Sequence, residues 1–163
     1  MLKRSILLVA IAATFIFQIF VQSVMALELD VNTRTVKLNE DGETVTLTQE
    51  QAATGKKKFN DTCAICHLVG GTKTNPNVNL SSQALEFAFP PRDNIEELVL
   101  FMKEPMSYDG AYSIAEIHPA TSSADIFPKM RNLSEDDLVA IAGHILMGPK
   151  INPYSWAGGK TKF

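Results

Sequence analysis

The chain has 163 residues, of which 15 are Lys or Arg and 18 are Asp or Glu, for a formal charge of −3. That length suits one domain once any targeting segment is removed. The acidic balance argues against nucleic acid and anionic lipid surfaces as partners, and suits a partner that carries basic patches.

The chain opens on Met1-Leu2-Lys3-Arg4 and continues with an apolar run from Ser5 to Val21. It closes on Gln22-Ser23-Val24-Met25-Ala26. A basic start, an apolar middle and a small-residue end predict a signal peptide over residues 1–26, removed after Ala26. The competing reading is an uncleaved anchor helix, because the run approaches the ~18 residues that begin to suggest a span. Cleavage leaves 27–163, or 137 residues, and loss of Lys3 and Arg4 moves the formal charge from −3 to −5.

Residues 32–47 predict a hairpin. Arg34 to Leu38 and Glu43 to Leu47 alternate around Asn39-Glu40-Asp41-Gly42, and Asp-Gly is a strong turn signal. A two-stranded ribbon is marginal alone and must rest on something else. A helix over 49–61 follows, with Thr48 and Gln51 at capping-box spacing. Ala52, Gly55 and Phe59 share one of its faces, and Gly55 admits a close approach by another helix.

From Gly70 to Pro91 the chain reads as loop, broken by Gly70-Gly71, Asn75-Pro76 and Pro90-Pro91. Asp93, with Glu96 at capping-box spacing, predicts the start of a second helix. Ile95, Leu98, Val99 and Met102 form its stripe and Pro105 closes it. Residues 104–133 are again irregular. Ser134 and Asp137 open a third helix over 134–147, which buries Leu138, Ile141, Ala142 and Ile145 and is stopped by Gly148-Pro149. A tail from about residue 150 carries the only tryptophan, Trp156. Loops beyond about 12–15 residues in a compact domain need a reason, and a large buried cofactor supplies one.

The cysteines give that cofactor a name. Cys63-Ala64-Ile65-Cys66-His67 is C-x-x-C-H, the attachment sequence of a c-type haem. Two thiols at this spacing add across the porphyrin's vinyl groups, and the next residue sets an imidazole beneath the iron. A zinc site would want further ligands at fixed spacing, and no second C-x-x-C exists. A thioredoxin-like pair belongs beside a βαβ pattern, which is absent from the sequence. The expectation is one covalently bound haem c, attached at Cys63 and Cys66, with His67 on the iron.

The sixth ligand has two candidates. Besides His67 there are only His118 and His144. His144 falls off the stripe of the last helix and reads as a surface residue. His118 precedes a proline and is flanked by Ile114 and Ile117. Met130 competes, because Phe127-Pro128-Lys129-Met130 is similar to the loop that brings methionine to haem in small soluble cytochromes. Methionine would raise the potential and a second histidine would leave it lower. On residue types alone both stay open.

Several segments together resemble one family. They are Gly55 with Phe59 before the haem motif, Thr72-Lys73-Thr74-Asn75-Pro76, Pro90-Pro91-Arg92-Asp93-Asn94, Tyr108-Asp109-Gly110, Ile114-Ala115-Glu116-Ile117-His118-Pro119 and the run from Ser123 to His144. Over 27–163 the chain resembles the PsbV family, the extrinsic low-potential cytochromes c of photosystem II. The resemblance implies an all-α, cytochrome c-type helical fold around one haem, with the hairpin as an N-terminal addition. It implies His67 and His118 as axial ligands, with Met130 packed nearby as the alternative sixth ligand. It further implies a non-enzymatic subunit, peripheral on the lumenal face of photosystem II beside the other extrinsic subunits. There it would stabilise the oxygen-evolving complex and its calcium and chloride retention. A diffusible electron carrier with His67–Met130 ligation is the alternative function.

Overall fold

The computed structural model describes residues 28–158, so the expected signal peptide lies outside the described residues, as does the end of the tail. Among the described residues no helix is long and apolar enough to cross a membrane.

The first element is a single turn, α1 (Val31–Arg34), capped by the Asp30 side chain accepting from the Thr33 N–H. The sequence reading had placed these residues at the edge of the hairpin. The strands themselves are β1 (Thr35–Lys37) and β2 (Thr44–Thr46), antiparallel with Val36 opposite Val45. The ladder's hydrogen bonds reach further, from Leu38 N–H to Glu43 O and from Leu47 N–H to Arg34 O. Gly42 at the turn has a φ of +84°, where a side chain would be strained. The ribbon rests on the last helix, as a marginal two-stranded sheet requires. Lys150 Nζ donates to the Asn32 and Thr35 carbonyls, and Lys37 pairs with Asp93 at 3.0 Å.

Helix α2 (Gln49–Thr62) starts on a complete Thr48–Gln51 capping box and buries Ala52, Gly55, Phe59 and Thr62, spaced three or four apart along one face. A short helix, α3 (Ser82–Glu86), capped by Ser81, interrupts the stretch expected to be loop throughout. Helix α4 (Ile95–Lys103) buries the predicted stripe of Ile95, Leu98, Val99 and Met102. Its cap is Asn94, not Asp93. The Asn94 side chain accepts from Glu97 N–H at 3.0 Å, while the Asp93 carboxylate is drawn to Lys37.

Helix α5 (Glu135–Ile151) begins on the predicted Ser134–Asp137 box, with three acidic residues in its first turn to complement the helix dipole. It runs past Gly148-Pro149, which was expected to stop it. Near a helix end a proline forgoes only one backbone bond, and Asn152 N–H still closes onto Gly148 O at 2.9 Å. The helix is buried on most of its circumference, wedged against α2, α4, the ribbon and the returning tail. That corrects the reading of His144 as a surface residue. It is 9% exposed, because the tail folds back and sets Trp156 against it.

Helices α2 and α5 cross at Gly55, where a Cβ would collide with the Ala140 carbonyl. The expected crossing at Gly55 and Phe59 is therefore present. Leu47, Phe59, Leu138, Ile141 and Met147 are fully buried around it, each such side chain stabilising by ~1.5–3 kcal/mol. The architecture is helical with one added hairpin, as expected.

Candidate functional site

The end of α2 positions the cysteine motif. Cys63 is the helix's C-cap, and the chain then tightens, with Cys66 N–H and His67 N–H both bonding the Cys63 carbonyl at 3.1 and 2.9 Å. The loop is held below by Lys73, whose backbone N–H donates to Cys66 O and whose Nζ donates to Ile65 O. A 3₁₀ turn, Leu68–Gly70, follows, and Gly70 has a φ of +76°. Gly70 leaves no room for a side chain, because the Trp156 indole fills the space. The same indole donates from Nε1 to Leu80 O at 2.8 Å. The C-terminal tail thus pins both ends of the loop that follows the motif.

His118 arrives from the opposite side. A turn from Ile114 closes on its backbone N–H at 2.8 Å, and its Nδ1 donates to the Pro119 carbonyl at 3.0 Å. A carbonyl only accepts, so the proton sits on Nδ1 and Nε2 keeps its lone pair. Phe101 of α4 packs edge-on against the ring at 5.0 Å. The rings of His67 and His118 have centroids 6.0 Å apart and planes tilted by 54°. Thr72 Oγ1 lies 3.1 Å from His67 Nδ1 and steadies the first ring. Burial holds both imidazoles below their ordinary value. For His118 the neighbouring His67 adds to the effect, and the value falls to about 4. Both rings are therefore neutral, the form that binds a metal.

These groups line one cavity of about 460 Å³, together with Cys63, Cys66 and Met130. Its size falls within the ~300–1,000 Å³ of cofactor pockets. Burial, followed by the neighbouring Cys66, pushes the Cys63 thiol up to about 12. Met130 is 3% exposed, carried by a 3₁₀ turn that begins at Pro128. The structure brings together every residue singled out in the sequence except His144. That residue packs against Phe59, tilted, and edge-on against Trp156 at the helix crossing instead.

A cytochrome c-550 domain profile matches residues 27–163. The chain belongs to the cytochrome c-550 family. The photosystem II extrinsic protein V of Emiliania huxleyi is 57% identical over 162 residues, covering 99% of each chain. That of Cyanophora paradoxa is 61% identical over 140 residues, 86% of each. Among solved structures, cytochrome c549 is 50% identical with a TM-score of 0.77, covering 78% of this chain and 99% of that one.

A cytochrome c-550 is a haem c protein, and the cavity fits that group. A metal–imidazole bond is roughly 2 Å long, so the 6.0 Å between the His67 and His118 centroids would leave room for one metal ion held by both rings. Bound, haem c supplies a one-electron iron couple whose potential depends on axial ligands, burial and nearby charge.

Three contributors to this cytochrome c-550 site went unassigned in the sequence: Thr72, Phe101 and Arg92. Thr72 and Arg92 lie in loops and Phe101 on the half-buried side of α4. Thr72 reaches His67 from five residues further along the same loop, whereas Arg92 and Phe101 come to the cavity only through the folded arrangement.

Proposed function

We propose that this protein is an extrinsic, non-enzymatic haem subunit on the lumenal face of photosystem II. One haem c is attached through Cys63 and Cys66, with His67 and His118 as axial ligands. The observation that carries the ligand set is the pair of imidazoles that line one cavity with centroids 6.0 Å apart. Two nitrogen ligands leave no open iron position and favour a low potential. Met130 fills the wall beside them as a packing residue.

The chain's own residues do the rest. Pro119 O and Thr72 orient the two rings. The apolar wall excludes water, and the Trp156 clamp holds the loop behind His67. The photosystem role is supported by full-length similarity to proteins named photosystem II extrinsic protein V. On this reading the subunit binds peripherally beside the other extrinsic subunits and helps retain calcium and chloride at the oxygen-evolving complex. Export through removal of residues 1–26 is supported by a family match that begins at residue 27.

The test is reconstitution. Photosystem II stripped of its extrinsic subunits should bind the holoprotein and recover oxygen evolution at limiting calcium and chloride. Absence of binding with the other extrinsic subunits present would reject the role. The ligand set is read separately by low-temperature electron paramagnetic resonance, where a methionine–iron signature would replace His118 with Met130.

A further inference from the structure

Arg92 borders the cavity and is only 7% exposed. The segment between α3 and α4 delivers it, tied by its own N–H to Leu85 O at 2.8 Å. Its Nη2 donates to the Met106 and Ser107 carbonyls at 3.0 and 2.6 Å. Its guanidinium carbon lies 4.2 Å from the centroid of the Phe101 ring, the same ring that packs against His118.

No carboxylate among the described residues forms an ion pair with Arg92, and Glu97 acts on it only from a longer distance. The ion pairs among the described residues use Lys37, Lys57, Lys58 and Lys103, and none involves Arg92. A guanidinium carries five N–H donors, and both hydrogen bonds found here come from one nitrogen. Nε and Nη1 have no partner among the described groups, yet neither is a sealed, unsatisfied atom, since Ser123 Oγ is the one of that kind. The residue itself borders the cavity. A buried cation without a directly paired anion is costly, so a guanidinium held this way suits a place where negative charge binds. Planar bidentate geometry makes carboxylate its natural partner.

The structure assigns Arg92 as the residue that binds a haem carboxylate and raises the iron's potential above the level set by two imidazoles alone. This rests on the haem reading above. Positive charge near the iron favours the reduced, less positive state. Removing it also leaves a propionate uncompensated, which acts in the same direction. Arg92 is a positioning residue, acting on the iron through charge and not as a ligand.

The test compares purified holoprotein with Arg92→Gln and Arg92→Lys by spectroelectrochemical titration and thermal unfolding. Arg92→Gln should lower the reduced-to-oxidised ratio about tenfold at fixed applied potential, which is 59 mV for one electron. Arg92→Lys should restore most of it. Equal shifts in both variants, or loss of stability with no change in potential, would reduce Arg92 to a tie between loops and overturn the assignment. Should Arg92→Gln fail to accumulate, a crystal structure of the wild-type holoprotein decides. A propionate oxygen in hydrogen-bond range of Nε or Nη1 supports the assignment, and propionates directed elsewhere refute it. Each variant is compared with its own wild type, so failure to bind photosystem II would leave this result standing. A methionine–iron signature in the wild type would instead fault the ligand reading.

Discussion

Gly55 of α2 lies against the backbone carbonyl of Ala140 on α5, with no room for a side chain between them. The contact lets the helix that ends in Cys63 lie directly on the helix that forms the floor of the core. Phe59, one turn on, then reaches His144 at 5.0 Å and Trp156 at 5.9 Å. The motif's position therefore depends on a missing methyl group two turns upstream.

Gly55→Ala should destabilise the protein by ~1–3 kcal/mol, because the obstacle is backbone and cannot swing aside. Alanine's better helix propensity offsets at most ~1 kcal/mol of this. Guanidinium unfolding of the holoprotein measures it, and a midpoint at or above wild type would contradict the crossing.

Trp156 ties the tail to Gly70, Gly148 and the Leu80 carbonyl. Trp156→Ala should cost ~3–5 kcal/mol through lost packing. Trp156→Phe should cost less, chiefly the ~0.5–1.5 kcal/mol of one hydrogen bond. Equal losses in the two variants would show that the packing matters little.

Burial, followed by the nearby Lys56, depresses the His144 imidazole from its ordinary 6.5 to about 4. A depressed folded value means that the unfolded chain binds the proton more readily. The contribution is thus complete above pH 6.5 and is lost as pH falls through about 4, up to about 3 kcal/mol. His144→Phe should flatten the fall in unfolding midpoint between pH 7 and 4. An unchanged slope would place the titrating group elsewhere, Asp137 in its ion pair with Lys58 being the next candidate.

Met130→Leu is close to volume-conserving and should cost under ~1.5 kcal/mol while leaving the bis-imidazole resonance intact. His118→Met should raise the midpoint potential. Loss of the bis-imidazole signal in Met130→Leu would instead make Met130 the ligand.

Removing haem empties a 460 Å³ cavity walled largely by loops and by α4. The apoprotein should lose most of its far-ultraviolet helical signal. Native helicity without haem would mean that the α2–α5 crossing suffices alone.

What could be read along the chain was local. The capping boxes at Thr48 and Ser134 depend on residues three apart, the stripe of α4 on helical period, and the hairpin turn on Asp41-Gly42. Cys63, Cys66 and His67 are legible for the same reason, because their chemistry requires a fixed short spacing. The misread features each have a distant cause. Asp93 gives up the cap because Lys37 lies 56 positions earlier in the chain. His144 is buried because the tail returns to cover it, and α5 outlasts Pro149 because its packing on α2, the ribbon and the tail outweighs one lost backbone bond. His118 and Met130 could not be ranked on residue type, since both end in the same cavity. Only the folded arrangement brings the two imidazoles within 6.0 Å and sets Arg92 on the same cavity without an ion pair. Spacing along a chain encodes chemistry within a turn or two, whereas burial and facing pairs exist only once the chain has closed on itself.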